Sequence, residues 1–158
     1  MVTGAGRSVA TELRSRLGQD QSIRDVMTPS PQTVKASASV AEAARKMRQN
    51  DVGAMVVVDE ANRVTGIVTD RDLTIRAIAD GKDPSTTKVA EVQSQDLTTV
   101  SPTDGVDQAV RLMRDRALRR LPVVEDGRPV GIVSIGDLAI ERDPDSALAD
   151  ISAKRPNR

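Results

Sequence analysis

The 158-residue chain contains no histidine, no cysteine and no phenylalanine, tyrosine or tryptophan. The lack of histidine and cysteine excludes zinc sites built on those residues, thiol catalysis and general-base catalysis by imidazole. The lack of aromatic side chains leaves valine, isoleucine, leucine, methionine and alanine to form the hydrophobic core. It also excludes any site that holds a base by stacking it on an aromatic ring.

The charges are balanced, with 23 lysine and arginine residues against 23 aspartate and glutamate residues. A neutral chain without aromatic platforms lacks the signature of nucleic-acid binding, so we expect no nucleic-acid partner. No apolar run approaches the roughly 18 residues that a membrane span requires, and residues 1–7 lack the apolar core of a signal peptide. We therefore expect no membrane association and a cytoplasmic location, which the absence of cysteine permits.

The chain contains an internal repeat. Residues 66–73 have the sequence Gly-Ile-Val-Thr-Asp-Arg-Asp-Leu, and residues 131–138, 65 positions later, have Gly-Ile-Val-Ser-Ile-Gly-Asp-Leu. Upstream, residues 39–47 match residues 105–113 at an offset of 66. The two offsets differ by one, which fits the loss of one residue in a turn of the second copy, because loops tolerate deletions. The sequence therefore predicts a duplicated unit.

Each copy contains one amphipathic helix. The apolar residues have the i, i+3, i+4, i+7 spacing of a helix face. They are Val40, Ala43, Ala44 and Met47 in the first copy and Val106, Ala109, Val110 and Met113 in the second. Ser39 and Glu42 predict a capping box at the start of the first helix. Asp104 is the expected cap of the second helix.

The remaining elements of each copy are a short opening strand, a hairpin and a closing helix. The predicted strands are 32–34, 54–58 and 64–68 in the first copy and 98–100, 121–124 and 130–133 in the second. Asn62 and Gly127 mark the hairpin turns. The closing helices are 73–80, which Gly81 stops, and 138–142. Both copies thus have the order strand, helix, strand, strand, helix.

The ends of the chain differ from the repeat. We expect an N-terminal extension over 1–22 with a short helix at 8–17, two repeat domains at 23–82 and 83–142, and a C-terminal segment at 143–158. In that segment Asp143 is the expected cap of a last helix, with Ala147, Leu148 and Ile151 as its apolar side and a loose tail from Lys154. A unit of about 60 residues is only marginally stable alone, so we expect an α+β fold in which the two copies pack together.

The repeat resembles a tandem pair of cystathionine β-synthase (CBS) domains, also called a Bateman module. The matching segments are 26–29, the helix that ends in Met47, 53–59, 66–73, 119–127 and 131–138. The resemblance covers about residues 23–142, and with no catalytic or transport segment attached the chain resembles stand-alone bacterial pairs. It implies two β-α-β-β-α units packed through their sheets with helices outside. It also implies disc-like dimers and clefts for adenosine ligands such as AMP, ADP, ATP or S-adenosylmethionine.

Two hydroxyl–carboxylate pairs, Thr69 with Asp72 and Ser134 with Asp137, are the main candidates for ligand contact. A hydroxyl and free amides at a helix start suit a phosphate, and an aspartate one turn later can accept hydrogen bonds from both ribose hydroxyls. The glycines at 66 and 131 would let a nucleoside approach the strand closely. A hydroxyl residue followed three positions later by an aspartate is also close to the capping-box pattern, so the alternative is that both pairs only cap their helices.

Arginines distinguish the second copy from the first. Arg119 and Arg120 stand where the first copy has glycine and alanine, and guanidinium groups bind phosphate well. The alternative for them is a solvated edge, and Lys35 and Arg71 are weaker phosphate candidates. Asp70 beside Thr69 would repel a phosphate, so we expect the second copy to bind a nucleotide better.

The other candidate residues come from the strands. Met55 with Val56, or Leu121 with Pro122, would line an adenine while the backbone reads its edge, although for each side chain taken separately the hydrophobic core is the favoured interpretation. The opening strands complete the candidate ligand set with Thr33, Val34, Thr99 and Val100.

These observations favour a regulatory module that senses a nucleotide. The alternative is a ligand-free dimeric scaffold or interaction protein of the same fold, with a protein partner still to be identified. We expect no enzymatic activity, because no nucleophile, base and orienting residue form a set. No cofactor is required by the sequence.

Overall fold

The computed structural model describes residues 21–94 and 96–154. The predicted helix over 8–17 and the tail beyond Lys154 lie outside these residues. The first copy and the segment before it contain α1 (Ile23–Val26), β1 (Thr28–Pro29), β2 (Thr33–Lys35), α2 (Val40–Asn50), β3 (Ala54–Val58), β4 (Val64–Thr69) and α3 (Asp70–Leu73), which continues as a π-helical turn over Thr74–Ile78. The second contains α4 (Val89–Val92), α5 (Val106–Arg116), β5 (Arg120–Glu125), β6 (Arg128–Ser134), α6 (Ile135–Arg142) and α7 (Ala147–Ala153).

The fold is α+β, with one three-stranded sheet for each copy. In the first sheet β2 is parallel to β3, and β3 is antiparallel to β4. In the second sheet β5 and β6 form the matching hairpin, and β1 pairs with the outer edge of β6. The hairpin turns contain Asn62 and Gly127, as the sequence predicts, and both residues have a positive φ. No helix among the described residues is long and apolar enough to cross a membrane.

The predicted opening strand of the second copy is reduced to a single bridge between Val100 and Val123. In the first copy the amide of Val56 donates to Gln32 O at 2.9 Å and helps to fix β2. Pro122 is the equivalent residue of the second copy and has no amide hydrogen, so this bond is lost. The bond from Val100 N to Pro122 O, at 3.1 Å, remains and keeps the segment in place.

Each sheet packs its helices on one face and is covered on the other. Met55 and Val57 belong to the first hydrophobic core, together with α2 residues such as Met47. Val56 lies between them on β3 and so points to the opposite face, yet it is fully buried. Pro122 in the second sheet is buried in the same way. The burial of these faces is what the packing of the two copies through their sheets requires.

The short helices that precede the two copies are exchanged. Ile23 of α1 is buried in the core of the second copy, whereas Val89 and Val92 of α4 are buried in the core of the first. Backbone bonds from Ile23 N to Asp104 O and from Val89 N to Ala38 O, at 2.8 and 2.9 Å, fix the two helices. Each copy therefore depends on a segment that belongs to the other in sequence.

Several caps differ from the sequence-based prediction. Ser39 caps α2 by accepting from Glu42 N at 3.1 Å, but the Glu42 carboxylate makes no return bond to the Ser39 amide, so the predicted capping box is only half formed. Asp104 does not cap α5; the cap position is Gly105, and the Asp104 carboxylate instead accepts from Ser101 N at 2.8 Å. The prediction for Asp104 was therefore one residue off, because its carboxylate closes the preceding turn.

The last helix also begins later than predicted. Asp143 ends α6, and Ser146 caps α7 through a bond from Ala149 N at 3.1 Å. Leu148 and Ile151 were expected to be buried but are 44% and 70% exposed. Ala149 is the buried residue of this helix.

Candidate functional site

Both hydroxyl–carboxylate pairs form complete capping boxes at the start of a helix. We call Thr69 with Asp72 the first clamp and Ser134 with Asp137 the second clamp. In the first clamp, Asp72 Oδ2 accepts from Thr69 N at 2.9 Å and Thr69 Oγ1 at 2.8 Å, and Asp72 N donates to Thr69 Oγ1 at 3.2 Å. The second clamp has the same three bonds at 2.7, 2.7 and 3.3 Å. The cap therefore exists in both copies, and one oxygen of each aspartate lies outside it.

The two clamps differ in what lies at the helix N-terminus. In the first copy Asp70 Oδ1 accepts from the amide of Arg71 at 2.8 Å, so the chain places its own carboxylate there. Ile135 replaces Asp70 in the second copy and has no acceptor. The amide of Gly136, the counterpart of Arg71, therefore lacks this bond. Helix N-termini attract anions, and the second copy lacks the carboxylate with which the first copy occupies this position.

The free oxygens of the two aspartates also have different neighbours. Asp72 Oδ1 lies 3.8 Å from Arg76 Nη1, and the Asp72 side chain is only 13% exposed. Arg76 also donates to the carbonyls of Val92 and Gln93 at 3.1 and 3.0 Å, which ties the first clamp to α4. In the second copy the residue at the position of Arg76 is Glu141. The Asp137 carboxylate thus lacks the cation that faces Asp72.

Two arginines flank the second clamp. Arg120 is paired with Ser134 across the hairpin, and the carbonyl of Arg119 accepts from Ile135 N at 3.0 Å. Both residues are exposed, and neither side chain makes a hydrogen bond or ion pair within the described part of the chain. In the first copy the corresponding positions are Gly53 and Ala54. The second clamp therefore has two exposed arginines on the segment that adjoins its helix N-terminus.

The structure accounts for the two strand glycines by contacts within the chain. A Cβ added to Gly66 would lie 2.7 Å from Gln93 Oε1 and 3.1 Å from Ser94 O. A Cβ added to Gly131 would meet Met27 Sδ and would lie 3.1 Å from Thr28 O. Close packing of the exchanged segments therefore requires these glycines, and the space beside them is filled.

The strand residues of the candidate set divide between the cores and the opposite face. The side chains of Val34, Met55, Val100 and Leu121 are in the hydrophobic cores. Only their backbone groups are left to contact a ligand between the sheets. Val56 and Pro122 point away from the helices, and Thr33 and Thr99 are half-buried.

Gln93 is a polar residue of this region that the sequence reasoning missed. Its Oε1 is buried and has no hydrogen-bond donor among the described residues. The internal repeat contained the signal, because Gln93 aligns with Met27 at the offset of 66 and replaces an apolar side chain with an amide.

The described residues also form three depressions in the surface. An apolar groove of about 460 Å³ runs between α2 and α3, lined among others by Met47, Leu73 and Ile78. Its counterpart between α5 and α6, of about 570 Å³, is lined by Met113, Leu138 and other residues. A polar cleft of about 580 Å³ separates the two hairpin turns. The clamp residues themselves line none of the three.

Known proteins place this architecture in a family. The model of the CBS domain matches residues 23–77 and 89–142, which is most of the chain and both copies of the repeat. The chain belongs to the CBS-domain family. It is 39% identical over 135 residues to the CBS domain-containing protein YhcV of Bacillus subtilis, covering 83% of this chain and 95% of that protein. It is 32% identical to hypoxic response protein 1 of Mycobacterium tuberculosis, covering 73% of this chain and 81% of that protein.

A solved CBS pair has adenosine-type ligands. The crystal structure of the CBS domain pair of protein MJ0100, in complex with 5′-methylthioadenosine and S-adenosyl-L-methionine, matches with a TM-score of 0.68 and 27% sequence identity. The match covers 75% of this chain and 93% of that one. The tandem CBS pair predicted from the repeat is therefore confirmed, and CBS domains are in general regulatory modules.

Proposed function

We propose that this CBS pair is a regulatory module that binds an adenosine nucleotide at the second clamp. The observation that carries the proposal is the contrast between the helix N-termini of the two copies. The first copy fills the anion position with Asp70, whereas the second leaves the amide of Gly136 open beside Arg119 and Arg120. A cytoplasmic location and the absence of enzymatic activity belong to the same proposal.

Each group of the second clamp has a role in this proposal. The amide of Gly136 and the two guanidinium groups bind the phosphate, since charge-assisted hydrogen bonds are about twice as strong as neutral ones. The hydroxyl of Ser134, which donates to Asp137 in the structure, exchanges that bond for one to the phosphate. The oxygen of Asp137 outside the capping box accepts from the ribose hydroxyls. Thr98 is the counterpart of Gln32, and its carbonyl lacks the donor that Val56 supplies in the first copy. That carbonyl is available to the edge of an adenine.

Regulation follows from the exchange of α1 and α4. Strand β1 continues from α1 and pairs with β6, so the second sheet contains a strand from the segment that leads into the first copy. A ligand held between α6 and this sheet shifts the relative position of the copies only if it binds one position more tightly. Such a shift would change the contacts of the covered sheet faces around Val56 and Pro122.

A thermal-shift experiment on the full chain tests the function. AMP, ADP, ATP and S-adenosylmethionine are each added at millimolar concentration, and a ligand that binds only the native state raises the midpoint of unfolding. We expect at least one of them to raise it by several degrees. If all four leave the midpoint unchanged, the chain is a scaffold whose clefts stay empty.

The partner expected from the resemblance is a second copy of the chain, and the two apolar grooves supply the surface. The grooves are built from equivalent residues, such as Met47 and Met113 at their floors. Asp70 lines the first groove and Arg114 lines the second, so their rims carry opposite charge. We infer that two chains form a two-fold dimer in which the first groove of each chain packs on the second groove of the other chain.

Light scattering after size exclusion tests the dimer. Ile78 lies in the first groove and is 57% exposed, so Ile78→Glu should fold normally and convert the dimer to a monomer. Ile151→Glu is the matched control, because Ile151 is 70% exposed and lines neither groove. A dimer that survives Ile78→Glu, or a monomeric wild type, would contradict this arrangement.

A further inference from the structure

The first clamp is joined to the exchanged helix α4 by an arginine that the second copy lacks. Arg76 Nη1 donates to Val92 O at 3.1 Å and to Gln93 O at 3.0 Å, at the C-terminal end of α4. Carbonyls at the end of a helix have no partner within it, so Arg76 secures this end. The same nitrogen lies 3.8 Å from Asp72 Oδ1, the carboxylate oxygen outside the capping box. One guanidinium group therefore contacts both the first clamp and α4.

The carboxylate of Asp72 has little room for a further partner. Its side chain is only 13% exposed, and Oδ2 already accepts from the amide and the hydroxyl of Thr69. Arg76 lies beside the remaining oxygen, which is the equivalent of the Asp137 oxygen assigned to the ribose hydroxyls in the second clamp. A ribose at the first clamp would therefore compete with Arg76 for Asp72 Oδ1.

The backbone that contains Arg76 also differs between the copies. Residues Thr74–Ile78 form a π-helical turn, whereas the second copy is α-helical throughout Ile135–Arg142. Single π-helical turns are rare and are found frequently at functional sites. The two closing helices thus differ in backbone at the place where only the first copy has the arginine.

The second copy has the opposite charge at the equivalent position. Glu141 replaces Arg76 four residues after Asp137, and it is exposed. The backbone groups equivalent to those that bind Arg76 belong to Val26 and Met27, at the end of α1. An arginine at position 141 would therefore face the same kind of surroundings as Arg76 does.

We propose that Arg76 is an autoinhibitory latch that keeps ribose-containing ligands out of the first clamp. The inference rests on the proposed function, because it concerns the aspartate oxygen that a nucleotide would use in either clamp. Arg76 is held in place by α4, and α4 is itself buried in the first core. A ligand can open the first clamp only by displacing Arg76 from the helix that begins the second copy. The latch closes the first clamp to the ribose, as Asp70 does to the phosphate.

An NMR titration of the full chain with adenosine tests the latch. Adenosine has the ribose but no phosphate, so the carboxylate of Asp70 does not repel it. The backbone amides of Asp72 and Asp137 report on the two clamps separately. In the wild type we expect millimolar adenosine to shift the Asp137 resonance and to leave the Asp72 resonance in place. In Arg76→Ala both resonances should shift.

Two further variants control for charge and for folding. Arg71→Ala removes an exposed arginine from the same helix whose side chain makes no hydrogen bond or ion pair with a described residue, so it should behave as the wild type. Glu141→Arg installs the arginine in the second copy, at an exposed position where substitutions are usually tolerated. It should weaken adenosine binding at the second clamp about tenfold, the size of one hydrogen bond to a charged group.

The possible outcomes separate the latch from the proposed function. If neither AMP nor adenosine shifts either amide in the wild type, the proposed function is overturned and the latch with it. If AMP binds at the second clamp but adenosine also shifts Asp72 in the wild type, the latch alone is overturned. An Asp72 resonance that stays in place in a folded Arg76→Ala, or unchanged binding in Glu141→Arg, also overturns the latch. Equal effects of Arg71→Ala and Arg76→Ala overturn it too, because the loss of charge would then suffice.

Discussion

At the scale of single residues, a few replacements make two copies of the same architecture chemically unequal. Ile135 in place of Asp70 removes a carboxylate from a helix N-terminus, and Pro122 in place of Val56 removes an amide from a strand. Gln93 in place of Met27 adds a buried acceptor without a donor among the described residues. Each replacement changes hydrogen bonding or charge.

The replacement Gln93→Met should increase stability, because it restores the residue that the second copy uses. The buried Oε1 pays a desolvation cost of about 1–3 kcal/mol without a compensating bond, and methionine fills the same space with apolar atoms. We expect the free energy of unfolding in urea to rise by about 1 kcal/mol. A decrease would show that the amide has a donor that methionine cannot replace.

The capping box of α1 predicts a pH effect. The amide and hydroxyl of Ser22 donate to Asp25 Oδ2 at 3.0 and 2.7 Å, and these bonds lower the pKa of Asp25 below its ordinary value of 3.8. Stability from this box is therefore present above pH 4 and is lost as the pH falls through the lowered pKa. An NMR titration should show the pKa of Asp25 returning towards 3.8 in Ser22→Ala. An unchanged pKa in that variant would contradict the account.

At the scale of elements, the exchange of α1 and α4 joins the two copies. Each of these helices has only four residues and would not be stable alone. Their stability comes from residues such as Ile23 and Val89, each fully buried in the core of the other copy. Gly66 and Gly131 leave the space that the exchanged segments occupy beside the hairpins.

Adding a methyl group at Gly66 should therefore weaken the contact between the copies. In Gly66→Ala the new Cβ would lie 3.1 Å from the Ser94 carbonyl, a backbone atom that cannot move freely. We expect a loss of about 1–3 kcal/mol, typical of overpacking, in chemical denaturation. Gly105→Ala is the control, because nothing lies within 4 Å of its added Cβ. Similar losses from both variants would contradict the close packing.

The elements show where prediction from the sequence reaches its limit. The helix periodicity of 40–47 and 106–113 predicts α2 and α5, and the hairpins follow from apolar runs and turn residues. The destination of α1 and α4 could not be predicted, because four residues show no periodicity and their contacts are distant in sequence. The prediction of a strand at 98–100 was wrong for a local reason, because Pro122 has no amide hydrogen to donate to it. This proline is visible in the sequence.

At the scale of the whole molecule, duplication produces one architecture with two unequal clamps. The sequence predicts the clamp residues and the charge difference between the copies, because both can be read from residues 66–73 and 131–138. It does not predict the packing of α7 beside the second clamp, where Ser152 lies against Gly136. If the proposed function is right, the pair responds to a nucleotide through its second copy.

Calorimetric titration of AMP into Asp72→Ala and Asp137→Ala tests the central claim most directly. Both variants lose the same capping box, so each controls for the structural cost of the other. We predict that Asp137→Ala weakens AMP binding about tenfold or more, since it removes an acceptor for the ribose hydroxyls, and that Asp72→Ala changes it less than about twofold. Equal losses from the two variants, or no loss from Asp137→Ala, would contradict a nucleotide site at the second clamp.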